Sequence, residues 1–167
     1  YRDAARRVVR EHVMAAGAGV ERIFYYWGWR ADESYYIHTP INGSMFEPTG
    51  APKPMAVAYG VLAWMIDGFD AVRKIELGQD RQGYVFEHGD KDAVVVLWSL
   101  ADQDSIRLHS IRDTCSLCAY NLMGNPINLH DDVLALTNEP IYLKVPADFD
   151  TAQLLVLLKG PDRSTDR

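Results

Sequence analysis

Val20-Glu21-Arg22-Ile23-Phe24-Tyr25-Tyr26-Trp27-Gly28-Trp29-Arg30 passes from a β-prone apolar segment into a cluster of aromatics, and a loop begins where the cluster ends. The pattern predicts a strand over Val20 to Trp27. Two tyrosines, two tryptophans and an arginine at the C-terminal end of a strand suit a sugar-binding surface. Pyranose rings stack on flat aromatic faces, and their hydroxyls need a hydrogen-bonding rim. The same residues also suit an ordinary aromatic core, so the neighbouring segments have to decide.

Working outward, residues Arg2 to Ala16 read as a helix. Ala5, Val8, Val9, His12, Val13 and Ala16 recur at three- and four-residue spacing, with arginines on the other side and Gly17 and Gly19 as a stop. Arg2, Arg6, Arg7 and Arg10 read as a solvated face. After the expected strand comes a loop from Gly28 to Pro52, rich in Pro, Gly, Asn, Ser and Thr; loops of that length are usually functional. A second helix is expected from about Pro54, with Met55, Val57, Ala58, Val61, Leu62, Met65 and Ile66 as its apolar stripe and Gly68 as its end.

From Asp70 onward the pattern is of short strands: Arg73 to Leu77, Gly83 to Glu87, Ala93 to Ser99, Ile106 to His109, Cys118 to Leu122, Val133 to Leu136 and Ile141 to Val145. Turn signals such as Gly89-Asp90, Ala101-Asp102 and Gly124-Asn125 separate them. That spacing describes an antiparallel β-sandwich rather than βαβ units. The expected fold class is therefore α+β. Residues 1–69 form one part, 70–146 the sandwich, and 147–167 a tail with one apolar burst, Leu154 to Leu158.

Composition narrows the partners. The chain has 167 residues, 48% of them hydrophobic and 24% charged, with a net charge of −6. A negative balance leaves no basic excess for nucleic-acid phosphates. No apolar run approaches the length of a membrane span. Tyr1 is followed directly by the amphipathic segment, so no compartment is read from this end. No cofactor is expected, and a polysaccharide or another protein is the open class of partner.

The order of elements and several local sequences resemble the C-terminal portion of a retaining glycoside hydrolase of the large (β/α)8-barrel clan. The likeness is carried by Pro52-Lys53-Pro54-x-Ala56-x-Ala58-Tyr59, by Gly83-Tyr84-Val85-Phe86 and by Val94-Val95-Val96-Leu97-Trp98-Ser99. Tyr120-Asn121-Leu122-Met123-Gly124-Asn125-Pro126 and Asn138-Glu139-Pro140-Ile141-Tyr142-Leu143 add to it. It covers residues 2 to 146, and departs from the family at Asn121, where an aspartate is usual. It implies that Ala4 to Ala16 is the seventh barrel helix, Val20 to Trp27 the eighth strand and Pro52 to Asp67 the eighth helix, a helix–strand–helix remnant of the barrel ahead of the sandwich.

The resemblance also implies where the chemistry lies. Retaining hydrolysis uses two carboxyl groups roughly 5 Å apart, and in this clan both precede the segments matched here. A whole barrel takes roughly 250 residues, so this chain is expected to carry no catalytic residue of its own. Tyr26, Trp27 and Trp29 would stand at the barrel mouth as a stacking platform, with Arg30 and Asp32 bonding sugar hydroxyls. Strand alternation cannot place all three aromatics on one face, so at least one is structural. The remaining barrel portion, or another chain, is the implied protein partner.

Other candidates carry weaker signals. Asp32, Glu33 and Glu47 could pair as catalytic acids, but solvated loop acids are the commoner case. Cys115 and Cys118 form Cys-x-x-Cys with His109 and His130 nearby at irregular spacing. A structural zinc site needs a second well-spaced pair, so buried free thiols are the expectation and no metal is expected. Trp98, Tyr84, Phe86, Tyr120 and Tyr142 read as inter-sheet core rather than a carbohydrate-binding face. A non-catalytic carbohydrate-binding module and an assembly domain are the alternatives to the glycosidase reading.

Overall fold

Helix α1 (Arg2–Gly17) buries Ala5, Val8, Val9 and Val13, the side that the apolar spacing marks out. It closes with Gly19 at φ 81, while the N–H of Val20 bonds the carbonyl of Ala15 and that of Gly19 bonds Ala16. This is the left-handed cap for which glycine has no steric cost. Helix α2 (Pro54–Ile66) starts with proline at its first turn and buries Met55, Ala58, Leu62 and Met65. The computed structural model describes residues 1–24, 45–47, 49–89, 92–101, 104–108, 117–128, 133–146 and 158.

The strands are β1 (Ala71–Ile75), β2 (Arg81–Glu87), β3 (Ala93–Ser99), β4 (Asp104–Arg107), β5 (Cys118–Tyr120), β6 (Pro126–Ile127), β7 (Val133–Leu136) and β8 (Ile141–Val145). Six form an antiparallel sheet in the order β1-β2-β3-β8-β5-β6, and β4 pairs with β7 in a second sheet. The described chain is thus α+β with antiparallel sheets.

Strand alternation splits the large sheet between two cores. On one face Val85, Val95, Leu97 and Leu143 meet Ile106, Leu108, Leu134 and Leu136 of the small-sheet segments, with Leu158 among them. On the other, Tyr84, Phe86, Val94, Val96, Trp98 and Tyr142 meet the apolar sides of α1 and α2. Every residue of β3 is buried, because both of its faces are covered. That explains its unbroken apolar run, Ala93-Val94-Val95-Val96-Leu97-Trp98.

Two glycines permit this packing. A Cβ on Gly17 would lie 2.3 Å from Cε1 of Tyr84, whose ring stacks on Trp98 with centroids 5.8 Å apart. A Cβ on Gly83 would lie 2.7 Å from Leu77 and 2.9 Å from Leu97.

Several expectations are corrected. Val20 to Phe24 forms no strand among the described residues: Val20, Ile23 and Phe24 are exposed, and a strand needs a hydrogen-bonded neighbour that these residues do not supply. Tyr25, Tyr26 and Trp27 lie outside the described residues. The large aromatics Trp98, Tyr84, Phe86 and Tyr142 sit between sheet and helices; the inter-sheet core is aliphatic instead. Val57 falls on the exposed side of α2.

The arginine face of α1 is left to solvent only in part: Arg2 and Arg7 are exposed, while Arg6 and Arg10 are half-buried. Arg2 pairs with Glu139 through two bonds, one of 2.7 Å, Arg6 bonds the Asn138 side chain, and Arg10 bonds the Asn138 carbonyl. Within the helix Arg6 also pairs with Asp3, and Arg7 pairs with Glu11 at 3.0 Å. These arginines dock α1 on the β7–β8 turn. Arg10 also lies over the Trp98 ring, 5.6 Å from its centroid. Cys118 is exposed at the start of β5, so it is not a buried thiol; Cys115 lies outside the described residues.

Candidate functional site

Tyr26, Trp27, Trp29, Arg30 and Asp32 lie outside the described residues, as do Asp32's neighbour Glu33, His109 and His130. The described residues supply the two ends of that loop and the helix it enters. On the first side Val20 to Phe24 follows the α1 cap outside any helix or strand, with Phe24 87% exposed. On the second, Phe46 bridges Pro52 across a tight turn in which Glu47 and Ala51 share a 2.8 Å bond. Glu47, the described member of the three loop acids, is therefore a turn residue at the entry to α2.

Lys53 closes this turn. Its N–H bonds the Met45 carbonyl at 2.9 Å, and it is 3% exposed. Its ammonium lies 5.5 Å from the centre of the Tyr1 ring. Sequence reading passed over it. The signal was the charged residue between Pro52 and Pro54, where both flanking residues restrict the backbone.

The cleft along α1 is lined by Asp3, Arg6, Arg7, Arg10, Glu11, Met14 and Asn138. Its guanidinium groups are engaged by Asp3, Glu11 and Asn138, so it works as a seam between helix and turn. Burial, and then the neighbouring Arg6, hold the Arg10 guanidinium below its ordinary value. Tyr142, buried among apolar side chains, has its phenol pushed above its ordinary range.

A second charged junction joins the two sheets. Arg81 of β2 grips both oxygens of Asp104 at 2.6 and 2.7 Å, and also reaches the carbonyls of Leu158 and Ser105 at 3.3 Å. The Asp104 carboxyl is held below the usual carboxylate range, chiefly by the Arg81 hydrogen bonds. Among the described residues no cluster of His, Cys, Asp and Glu is suited to a metal ion, and no helix is long and apolar enough to cross a membrane.

The fold has a counterpart among solved structures. It is similar to that of a family 39 glycoside hydrolase from the gut symbiont Bacteroides cellulosilyticus WH2, with a TM-score of 0.63 over 84% of this chain. Sequence identity is 19%, so the likeness is one of fold. The match takes in 30% of that protein's chain, and this chain spans about a third of its length. No protein-family model and no curated protein matches the sequence.

The Asn121 departure has a local explanation. Its Oδ1 accepts from the N–H of Met123 at 2.9 Å and of Asn125 at 3.0 Å, capping the turn between β5 and β6. An aspartate oxygen would accept the same two bonds, so the exchange leaves the turn intact.

Proposed function

We propose that this chain is the C-terminal part of a retaining glycoside hydrolase, contributing the closing helix of a (β/α)8 barrel, a segment, Val20 to Trp27, that would pair as a strand only against the preceding barrel strands, and a β-sandwich that supports them. The fold likeness to a glycoside hydrolase favours this class. The observation that carries the reading within the chain is α2. It has no charged residue, yet it buries one side and leaves Val57 and Trp64 exposed, 39% and 63%. A helix apolar all round belongs inside a larger body, and the exposed Val20, Ile23 and Phe24 would gain from the same cover.

In this reading Tyr26, Trp27 and Trp29 give the sugar a stacking wall, and Arg30 and Asp32 bond its hydroxyls. The acid/base and nucleophile carboxylates, roughly 5 Å apart, belong to the preceding barrel strands. The sandwich stabilises the barrel seam by covering the inner side of α2.

The test is hydrolysis. The chain expressed with the sequence that precedes it in its gene should cleave aryl glycosides with the anomeric configuration retained, as followed by NMR. The 167-residue chain alone should not. Cleavage by the 167 residues alone, or none by the longer protein, rejects the proposal. Retardation of the isolated chain on soluble polysaccharide in affinity electrophoresis, with an inactive longer protein, would favour a carbohydrate-binding module.

A further inference from the structure

We propose that the junction of β2 and β4 is a peptide-docking slot, filled in this chain by Leu158 as a strap that closes the sandwich and can leave it separately. Leu158 comes after β8, is fully buried and belongs to the inter-sheet core. Arg81 of β2 donates to its carbonyl at 3.3 Å while gripping Asp104 of β4. The residue therefore sits where those two strands meet.

Two observations make this a site rather than ordinary packing. The first is a shortage of cover. The small sheet is two strands wide and the sheet opposite has six. Yet Ile75 and Leu77, at and just past the edge strand β1, are 4% and 6% exposed within the same core. Leu108, Leu117 and Leu158, none of them in a strand, make up the difference.

The second is the Arg81 fork. Asp104, whose side chain is 6% exposed, fixes the guanidinium in place. The remaining N–H groups turn to backbone carbonyls, that of Ser105 within β4 and that of Leu158 from outside it. A held cation donating to a peptide carbonyl, beside an apolar slot for one side chain, recognises a segment with little regard to its other residues. Strands are held by ladders of backbone hydrogen bonds. Among the described residues the bond to the Leu158 backbone is Arg81's alone. The strap is accordingly the weaker attachment, and it opens before the sheets do. None of this depends on the glycosidase reading.

Leu158→Asp in the 167-residue chain should eject the strap, and the emptied slot should bind a fluorescent peptide spanning residues 151–163, followed by polarisation. The parent chain, its slot filled, should bind that peptide at least about tenfold more weakly. Adding Arg81→Lys to Leu158→Asp keeps a charge for Asp104 but loses the fork, and should weaken the peptide about tenfold. A folded Leu158→Asp chain that ignores the peptide, a parent chain that binds it as tightly, or no loss from Arg81→Lys overturns the proposal. If Leu158→Asp fails to fold, Leu158→Cys decides, with Cys115→Ser and Cys118→Ser removing the other thiols. The introduced thiol should be labelled in urea too dilute to unfold the sheets; labelling only on global unfolding rejects the strap.

Discussion

Gly17 is the residue with the least room for change. Any side chain there strikes the Tyr84 ring, which is buried and stacks on Trp98. Gly17→Ala should lower stability by about 2 kcal/mol through overpacking, read by urea unfolding. Gly60→Ala is the matched comparison on α2. Its Cβ meets nothing within 4 Å, so the helix-propensity gain of up to about 1 kcal/mol should appear undiminished. The sequence marked Gly17 only as a helix end and did not single out Gly60. What distinguishes them is the approach of Tyr84, sixty-odd residues away in the chain, which local pattern does not encode.

At the scale of elements, the link between the two sheets rests on Arg81 and Asp104, whose side chains are 14% and 6% exposed. Asp104→Asn should cost about 3 kcal/mol at neutral pH, since it leaves a buried guanidinium without its counter-charge. The pH dependence has a definite sign. A carboxyl depressed in the folded state stabilises above the unfolded aspartate value of about 3.9 and loses that contribution as pH falls through the folded value. Acid unfolding of the parent chain should therefore steepen below about pH 4, and that added slope should be missing from Asp104→Asn. Arg2 with Glu139 is the contrast: its guanidinium is fully exposed, so Arg2→Ala should leave the denaturation midpoint nearly unchanged and insensitive to salt.

Elements differ in how far sequence could reveal them. Strands Ala93–Ser99, Val133–Leu136 and Ile141–Val145 were readable to the residue, because turn residues bracket β-branched or aliphatic runs. Pro126–Ile127 was not, since two residues show no period. The arginines of α1 were assigned to water because helical spacing says which side is polar. It does not say that the β7–β8 turn lies across from that side. The aromatic loop holding Tyr26, Trp27 and Trp29 was singled out by composition alone, and it lies outside the described residues.

On the scale of the whole molecule, the apolar outer side of α2 sets behaviour in solution. Trp64→Glu combined with Val57→Lys should reduce self-association in sedimentation while changing stability by no more than about 0.5 kcal/mol. Glutamate at 64 would still offer a partner to Lys144, whose ammonium lies 5.1 Å from the centre of the Trp64 ring. Unchanged association would mean that this surface is not what draws copies together. Strand β3 has a different fate. It has a neighbour on each edge, aliphatic side chains beneath it and aromatic side chains above, so no partial opening frees its peptide groups. In deuterium its amides should be the last to exchange, at the rate set by unfolding of the entire chain.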